Sequence, residues 1–175
     1  KSVFGGIVAI ANEVDEKTAE LLTGLFLECV VAVSFTVDAL KVFEKKKNLR
    51  VLEWPNLLKE GNTWDVRGIE GGALLQEVDQ PCRTFNENWK TIGEEPSEKL
   101  KEDLAFAWQV CANLKSNAIA VIQDRQTRGL GMGQVNRVDA VAQALGRAKE
   151  YHPDATELVL ASDAFCPFPD SIDII

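Results

Sequence analysis

The sequence is poor in several residue types that mark particular classes of protein. Only one histidine, one methionine and one tyrosine occur among 175 residues, and the apolar residues form no long run. A membrane-spanning helix needs about 20 mainly apolar residues, so none is expected. The cysteines lie far apart, with no CxxC pair: Cys29, Cys82, Cys111 and Cys166. This spacing matches neither a zinc site nor a disulfide framework and predicts reduced thiols in a cytoplasmic protein.

Positive charge is also scarce. The chain has 19 basic against 27 acidic side chains, which gives a formal net charge of -8. Such a field repels phosphate backbones, so no nucleic-acid partner is expected. The one basic run, Lys45 to Lys47 followed by Arg50, is interpreted as a solvated helix end rather than a phosphate-binding patch, because cations suit the negative end of a helix dipole.

Short apolar runs alternate with helical spacing in the first part of the chain. The pattern predicts strands at 7–11, 29–33 and 49–54, with helices at 15–27 and 38–46. This βαβαβ rhythm is typical of a layered α/β fold with some parallel strands. Neither end looks like a natural terminus: Lys1 to Gly6 reads as a strand already under way, and the last residues run into a plausible helix.

The rest of the chain alternates strands and helices less regularly. A strand with a glycine kink at Gly71-Gly72 is predicted at 66–78. Ser97 is suited to be the N-cap of the clearest helix. The remaining predictions are a strand at 118–123, a turn at Asp124-Arg125, a hairpin partner at 126–130, a helix at 135–151 and a strand at 158–161.

Glycines mark a predicted junction of strand and helix in the second half. The block Lys115-Ser116-Asn117-Ala118 is followed, after the hairpin turn, by GLGMGQVNR ending at Arg137. Glycines there let backbone N–H groups approach an anion at a helix N-terminus, and an arginine adds a bidentate clamp. Asn117 offers a donor and an acceptor at the strand mouth. The alternative is a tight turn beside a surface arginine.

Other candidate positions are single residues with simple alternatives. Asp163 follows the last predicted strand, at the end where α/β proteins place ligands, and could bind a cation or orient a neighbour. Its alternative is an Asx turn or a helix cap. Gly5 and Gly6 allow close approach of a ligand to the backbone, with a plain β-turn as the alternative. His152, at a predicted helix end, is interpreted as solvated rather than catalytic.

Several long segments resemble a known enzyme family. The segments are SVFGGIVA, FLECVVAVSFTVDALKVFEKKKNLRVLE, AFAWQVCANLKSNAIAV, GLGMGQVNRVDA and LASDAFCPF. They are similar to stretches that occur in the same order in AICAR transformylases, and the similarity spans nearly the whole chain. The resemblance is to an internal stretch of the transformylase domain of the bifunctional purine-biosynthesis enzyme. It implies a cytidine-deaminase-like layered α/β fold, with residues 1–65 the remainder of a first lobe and 66–175 the start of a second.

The resemblance also implies a reaction and its partners. Members of the family transfer a formyl group from 10-formyltetrahydrofolate to the amine of AICAR, a step before IMP. They are homodimers with sites at the subunit interface. This chain is therefore expected to be a cytoplasmic homodimer with AICAR and folate as small-molecule partners, without a membrane or nucleic-acid partner and without zinc, since no HxE motif is present.

Site residues follow from the same resemblance. Asn117 matches an asparagine at the reacting region, which makes it the expected catalytic residue. The expected AICAR-binding residues are Phe4, Gly5, Gly6, Glu28, Asn117, Arg137 and Phe165. Glu28 would hold the ribose, and Phe165 would line the pocket. A potassium ion would be held by Asp163, Ser116 and the carbonyl of Val110.

The chain departs from the family pattern at several points. Cys166 stands for a second phenylalanine, Pro169 for an arginine and Val33 for a common proline, while GMGQVN replaces a GAGQMS-like run. The Lys-His catalytic pair of the family lies upstream of its FGG motif, and no such pair occurs in this chain. The chain alone is thus expected to show little formyl transfer. The alternatives are a non-catalytic AICAR- or nucleotide-binding module and a structural fragment.

Overall fold

The computed structural model describes residues 4–59, 61, 63–80, 84–166 and 168–175. The start of the predicted N-terminal strand, residues 1–3, and Cys82 lie outside the described residues. The chain divides into two compact units, Lys1–Val78 and Asp79–Ile175, here called unit 1 and unit 2. The assignment of residues 1–65 and 66–175 to two deaminase-like lobes stays a prediction.

Unit 1 contains the predicted βαβαβ arrangement. Its elements are β1 (Phe4–Val14), α1 (Glu16–Thr23), β2 (Phe26–Phe35), α2 (Val37–Glu44) and β3 (Arg50–Glu53). The three strands are parallel, in the order β1-β2-β3. The prediction of parallel strands in an α/β arrangement is therefore confirmed, and the fold is mixed α/β.

Capping residues fix where the helices of unit 1 begin. The Asp15 side chain accepts a hydrogen bond from the Thr18 amide at 2.8 Å, and Thr36 caps α2 through the Ala39 amide at 3.2 Å. The predicted extension of the first helix to residue 27 is wrong, because Phe26 already pairs with Phe4 in the parallel sheet. The core consists of residues from β1, β2 and both helices, among them Val14, Ala19, Val30, Ala32, Ala39 and Phe43.

A hairpin follows where one kinked strand was predicted at 66–78. Its strands are β4 (Trp64–Ile69) and β5 (Gly72–Glu77), which pair antiparallel. Ile69 pairs with Gly72, so Glu70 and Gly71 alone form the loop. Gly71 has φ of +77°, a conformation that glycine adopts without steric cost. The loop of Glu70 and Gly71 therefore reverses the chain, instead of a glycine pair kinking one strand.

Unit 2 is built on an antiparallel sheet between two helices. Its elements are α3 (Glu98–Ala112), β6 (Ile119–Gln123), β7 (Gln126–Gly131), α4 (Arg137–Tyr151), β8 (Val159–Ser162) and α5 (Asp170–Ile174). The strand order is β7-β6-β8. Ser97 caps α3 as predicted, accepting from the Leu100 amide at 3.3 Å.

The central strand β6 is buried on both faces. One face, including Ala120 and Ile122, packs with Ala107 and Cys111 of α3. The other face carries Ile119 and Val121 and packs against α4, in a cluster that contains Ala140, Val141 and Ala144. Because successive side chains of a strand point to opposite faces, this short apolar run supplies two separate cores.

The predicted turn between β6 and β7 is confirmed. Asp124 and Arg125 have φ of 52° and 54°, which suits a two-residue hairpin loop. The buried carboxylate of Asp103 on α3 accepts hydrogen bonds from both of their amides, at 2.9 and 2.7 Å. A charged side chain of the helix thereby stabilises a backbone conformation that is unfavourable for residues other than glycine.

Two glycines bring β7 against α4. A Cβ atom on Gly129 would lie 1.9 Å from the Ala144 carbonyl oxygen, and one on Gly131 would lie 2.0 Å from that of Ala140. The strand predicted at 126–130 continues one residue further and ends at Gly131, where the run Gly131-Met132-Gly133 begins. These glycines permit helix-to-strand contact, and only Gly133 of this block has a positive φ, +65°.

Among the described residues, no helix is long and apolar enough to span a bilayer.

Candidate functional site

Three of the predicted site residues line one cleft of unit 2. Asn117, Arg137 and Phe165 belong to a concave site of about 520 Å³ at the start of α4. The other lining residues are Val135, Asn136, Val138, Asp139, Phe168 and Asp170. We refer to this site as the α4 cleft.

Arg137 is the first residue of α4 and is only 8% exposed. Its Nη1 donates to Asp163 Oδ1 and, at 3.2 Å, to the Ala118 carbonyl oxygen, while Nη2 donates to the Ala164 carbonyl oxygen. The alternative of a surface arginine is therefore wrong. The guanidinium thus hydrogen-bonds both the residue before β6, Ala118, and the turn after β8, at Ala164. Arg137 therefore fixes the positions of two segments that form the α4 cleft.

Asp163 is the acidic partner in this network. Its Oδ1 also accepts from the Ala118 amide at 2.9 Å. Partial burial would raise the pKa of Asp163, but hydrogen bonds from the Ser116 hydroxyl, the Ala118 amide and Arg137, with the charge of Arg137, outweigh burial and lower that pKa below its usual value. The carboxylate is thus held in its charged form beside the guanidinium.

Asn117 enters the α4 cleft from the segment that precedes β6. Its Nδ2 donates to the Gln134 carbonyl oxygen at 2.9 Å, and its backbone amide donates to the same oxygen at 3.2 Å. The Ser116-Asn117 peptide bond is cis. The carboxamide is therefore anchored through its nitrogen, and its Oδ1 has no hydrogen bond to the described residues. This oxygen can accept a hydrogen bond from a ligand.

Phe165 follows β8 in an unusual backbone conformation. Ala164 and Phe165 have φ of 71° and 59°, and the Phe165 side chain is 82% exposed. Two successive residues with positive φ cost free energy, and such a turn persists when its surroundings hold it. Arg137 provides that hold through the Ala164 carbonyl oxygen. The turn presents a large apolar ring to the α4 cleft.

The residues predicted to hold potassium lie in the same part of unit 2. A carboxylate, a hydroxyl and a carbonyl are suitable ligands for a hard cation. However, Asp163 is already bound by Arg137, and the Val110 carbonyl accepts the Asn113 amide at 3.1 Å. A cation beside Asp163 would lie close to the guanidinium of Arg137. The potassium site stays a prediction.

The remaining predicted site residues belong to unit 1. Phe4 stacks on Phe26 with ring centroids 4.4 Å apart. Gly5 has φ of +71°, and a Cβ atom there would lie 3.0 Å from Glu28 Oε1. These residues lie at the amino end of β1 and β2. Glu28 also lines a cavity of about 940 Å³ in this unit.

Two positions with reactive side chains are not part of the α4 cleft. His152 ends α4, and its Nδ1 is 3.5 Å from Arg128 Nη1. Burial raises the pKa of the Cys111 thiol to about 11, an effect to which Asp163 adds and which Arg137 opposes. A thiol with so high a pKa is a poor nucleophile near neutral pH.

Sequence reasoning missed several contributors to the α4 cleft. Gln134 anchors Asn117 through its main chain, and the Ala164 carbonyl receives Arg137. Because both residues act through backbone oxygens, the identity of their side chains gives no indication of this role. The position of Gln134, between the glycines and the helix cap Asn136, was the only available indication.

Comparisons with known proteins agree with the resemblance. The sequence model of the family described as AICARFT/IMPCHase bienzyme matches residues 1–147. The bifunctional purine biosynthesis protein PurH of Caldicellulosiruptor saccharolyticus is 46% identical over 173 residues, which cover 98% of this chain and 33% of that protein. PurH of Persephonella marina is 44% identical over 174 residues, covering 99% and 33%. The chain therefore spans about a third of the length of the curated relatives it matches. At this identity and coverage, the chain belongs to the AICARFT/IMPCHase bienzyme family.

Proposed function

We propose that this chain takes part in the transfer of a formyl group from 10-formyltetrahydrofolate to AICAR in purine biosynthesis. One observation carries the proposal: Asn117, Arg137 and Phe165, each matched by resemblance to a residue of the AICAR site, line a single cleft. Family membership supports it. The deaminase-like fold, the cytoplasmic location and the homodimer that the resemblance implies belong to the same proposal.

In this reaction the amine of AICAR attacks the formyl carbon. A new N–C bond forms, the bond from that carbon to the tetrahydrofolate nitrogen breaks, and in the net reaction the proton that the amine loses is matched by one that this nitrogen gains. The side chains of the α4 cleft contribute mainly by orientation, which can supply several kcal/mol. Asn117 is suited to accept a hydrogen bond from the amine or carboxamide of AICAR through Oδ1. An amide is too weak a base to take the proton, so Asn117 positions the amine.

Phe165 and Arg137 have linked roles in the proposal. The exposed ring of Phe165 offers a flat face to the imidazole of AICAR, and aromatic pairs contribute about 0.5–1.5 kcal/mol beyond area burial. Arg137 lines the cleft and also holds the Ala164 carbonyl. It therefore serves as a positioning residue for the turn that presents Phe165.

Calorimetric titration with AICAR tests the site. The wild-type chain should bind AICAR, and Phe165→Ala should weaken binding by roughly tenfold, equivalent to about 1.4 kcal/mol. Phe165 suits this test because truncating an exposed ring leaves the fold intact. Trp64→Ala in β4, also exposed and aromatic, serves as the matched control and should bind like the wild type. Absence of AICAR binding by the wild type would contradict the proposal.

A second measurement separates the transferase from the alternatives. The AICAR complex is mixed with 10-formyltetrahydrofolate, and formylated AICAR is measured by mass spectrometry. Product that decreases in Asn117→Ala favours the transferase. Because no Lys-His pair occurs in this sequence, the chain alone is expected to give little product, so binding of 10-formyltetrahydrofolate to the AICAR complex is measured as well. AICAR binding without folate binding favours a non-catalytic binding module, and binding of neither favours a structural fragment.

A further inference from the structure

A short loop between β7 and α4 runs beside Asn117. It consists of Met132, Gly133 and Gln134, and we call it the anchor loop because the Gln134 carbonyl oxygen accepts from Asn117 twice, from Nδ2 at 2.9 Å and from the main-chain amide at 3.2 Å. Since Nδ2 and Oδ1 belong to one planar group, a shift of the anchor for Nδ2 also moves Oδ1. Whatever fixes the anchor loop therefore fixes the direction of the Asn117 carboxamide.

The anchor loop is hydrogen-bonded from two sides. On one side lies the segment that carries Asn117, where the Lys115 carbonyl oxygen also accepts from the Gly133 amide at 2.8 Å. On the other side lies α4, where Gln143 Oε1 accepts from the Met132 amide at 3.1 Å. Bonds of the first kind move together with Asn117, so they cannot set its position alone. Among the described residues, Gln143 alone hydrogen-bonds the anchor loop from outside these two segments.

The packing of β7 on α4 brings Gln143 within reach of the anchor loop. Gly131 ends β7 without a side chain, and a Cβ atom there would lie 2.0 Å from the Ala140 carbonyl oxygen. Gln143 follows Ala140 by three residues, so the two lie on the same side of the helix. Gln143 is half-buried and does not line the α4 cleft. Its effect on a ligand in the cleft would therefore be indirect, through the anchor loop.

The anchor loop has internal restraints that transmit a displacement. Gly133 has φ of +65°, and Gln134 Nε2 donates to the Met132 carbonyl oxygen at 3.0 Å. Hydrogen bonds thus connect Gln143 to Met132, Met132 to Gln134, and Gln134 to Asn117. A change at the helix is passed along this series to the carboxamide.

We propose that Gln143 is a positioning residue of the α4 cleft, which orients the Asn117 carboxamide through the anchor loop. The consequence for AICAR rests on the proposed function, in which Asn117 Oδ1 meets the amine or carboxamide of AICAR. The bond from Met132 to Gln143 is exposed, so water can replace Gln143 as the acceptor. Its loss should therefore have the effect of a single hydrogen bond, about fivefold, which is equivalent to about 1 kcal/mol.

Hydrogen exchange of the ligand-free chain, followed by NMR, tests the positioning without a substrate. The side-chain amide of Asn117 is identified by its absence in Asn117→Ala. Its exchange with water should be about fivefold faster in Gln143→Met, which keeps the length of the side chain but lacks the acceptor. Exchange should stay at the wild-type rate in Gln143→Glu, whose carboxylate still accepts from Met132.

A matched control comes from the opposite end of β6. There Gln123 Nε2 donates to the Thr156 carbonyl oxygen at 2.6 Å, so Gln123→Met also removes a bond from a glutamine to the main chain. This variant should leave the exchange of the Asn117 side-chain amide unchanged. Main-chain amides of β6 report general destabilisation. Circular dichroism checks folding, and Gln143→Ala replaces Gln143→Met if the latter does not fold.

Calorimetry with AICAR tests the consequence for binding. Gln143→Met should weaken AICAR binding by about fivefold, and Gln143→Glu should bind like the wild type. In an Asn117→Ala background, Gln143→Met should cause no further loss, because two residues that act through one group have non-additive effects.

The outcomes separate this proposal from the proposed function. The proposal is overturned if Asn117 exchanges equally fast in Gln143→Met and the wild type, or if the amides of β6 accelerate to the same extent. It is also overturned if Gln143→Met weakens AICAR binding equally with and without Asn117. If the wild type does not bind AICAR but the exchange of Asn117 responds as expected, the proposed function fails while the positioning of Asn117 by Gln143 is supported.

Discussion

The α4 cleft of unit 2 and the cavity of unit 1 that is lined by Lys45, Lys46 and Lys47, here called the lysine cavity, use charge in opposite ways. In the α4 cleft, Arg137 is buried and its guanidinium is bound to a carboxylate and two carbonyl oxygens of the same unit. In the lysine cavity, Lys45, Lys46 and Lys47 are exposed and unpaired with the described residues. A buried charge must be compensated within the fold, so it fixes shape. An exposed charge contributes little to stability and remains available to a ligand.

The largest effect is expected when the ion pair of the buried Arg137 is broken. Arg137→Leu leaves Asp163, whose side chain is 25% exposed, without its cation, and this partial exposure lowers the cost from the roughly 3–5 kcal/mol of a fully buried pair to about 2–3 kcal/mol. The free energy of unfolding, measured with urea by circular dichroism, should fall by this amount. Arg147→Leu on the same helix is the matched control, because Arg147 is exposed and its one described hydrogen bond, to the Leu130 carbonyl, is worth about 1 kcal/mol.

The comparison becomes sharper with a charge removed from unit 1. Lys46→Gln should change the free energy of unfolding by less than about 0.5 kcal/mol, as is usual for exposed positions. A loss in Lys46→Gln as large as that in Arg137→Leu would show that the lysine cavity is also a structural charge network, and the contrast between the two sites would fail.

A smaller effect is expected from two glycines that differ only in their surroundings. Gly131→Ala forces a methyl group against the Ala140 carbonyl on α4, and overpacking of this kind costs about 1–3 kcal/mol. Gly146→Ala, in the interior of the same helix with open space around its Cα, should instead stabilise by about 0.5–1 kcal/mol. If the two variants change the free energy of unfolding in urea with opposite signs, the direct contact between β7 and α4 at Gly131 is confirmed. Equal changes would contradict this contact.

Features encoded locally in the sequence were predicted well. The βαβαβ arrangement of unit 1 follows from the alternation of short apolar runs with helical spacing. Ser97 could be predicted as a cap because its side chain accepts a hydrogen bond from an amide only three residues further along the chain. The hairpin at 64–77 was missed because a loop of two residues, Glu70 and Gly71, hardly interrupts the apolar pattern. Local spacing cannot distinguish a kink from a reversal.

Features that depend on distant residues were not predicted from spacing. Arg137 and Asp163 meet because β8 pairs with β6, which places Ser162 opposite Ile119 and the turn beside α4. The lysine run looked like an ordinary helix end because its wall partner, residues 22–28, lies earlier in the chain and meets it only through the parallel sheet. The resemblance named Asn117, Arg137 and Phe165 together, which no local pattern had done.

The last test uses pH to separate the two kinds of charge. The pKa of Asp163 is lowered by its hydrogen bonds and by Arg137 against the opposing effect of burial, so its charged form stabilises the fold above the ordinary value of 3.8. That contribution is lost as pH falls below this value toward the lower folded-state pKa. Unfolding free energies measured between about pH 6 and pH 2.5 should therefore decline less steeply in Asp163→Asn than in the wild type. Lys46→Gln should keep the wild-type slope, because the exposed Lys46 forms no ion pair with a described carboxylate. Equal slopes of unfolding free energy against pH for Asp163→Asn and the wild type would mean that the Arg137–Asp163 pair contributes nothing to acid sensitivity. The charge of the α4 cleft would then matter as little to folding as that of the lysine cavity.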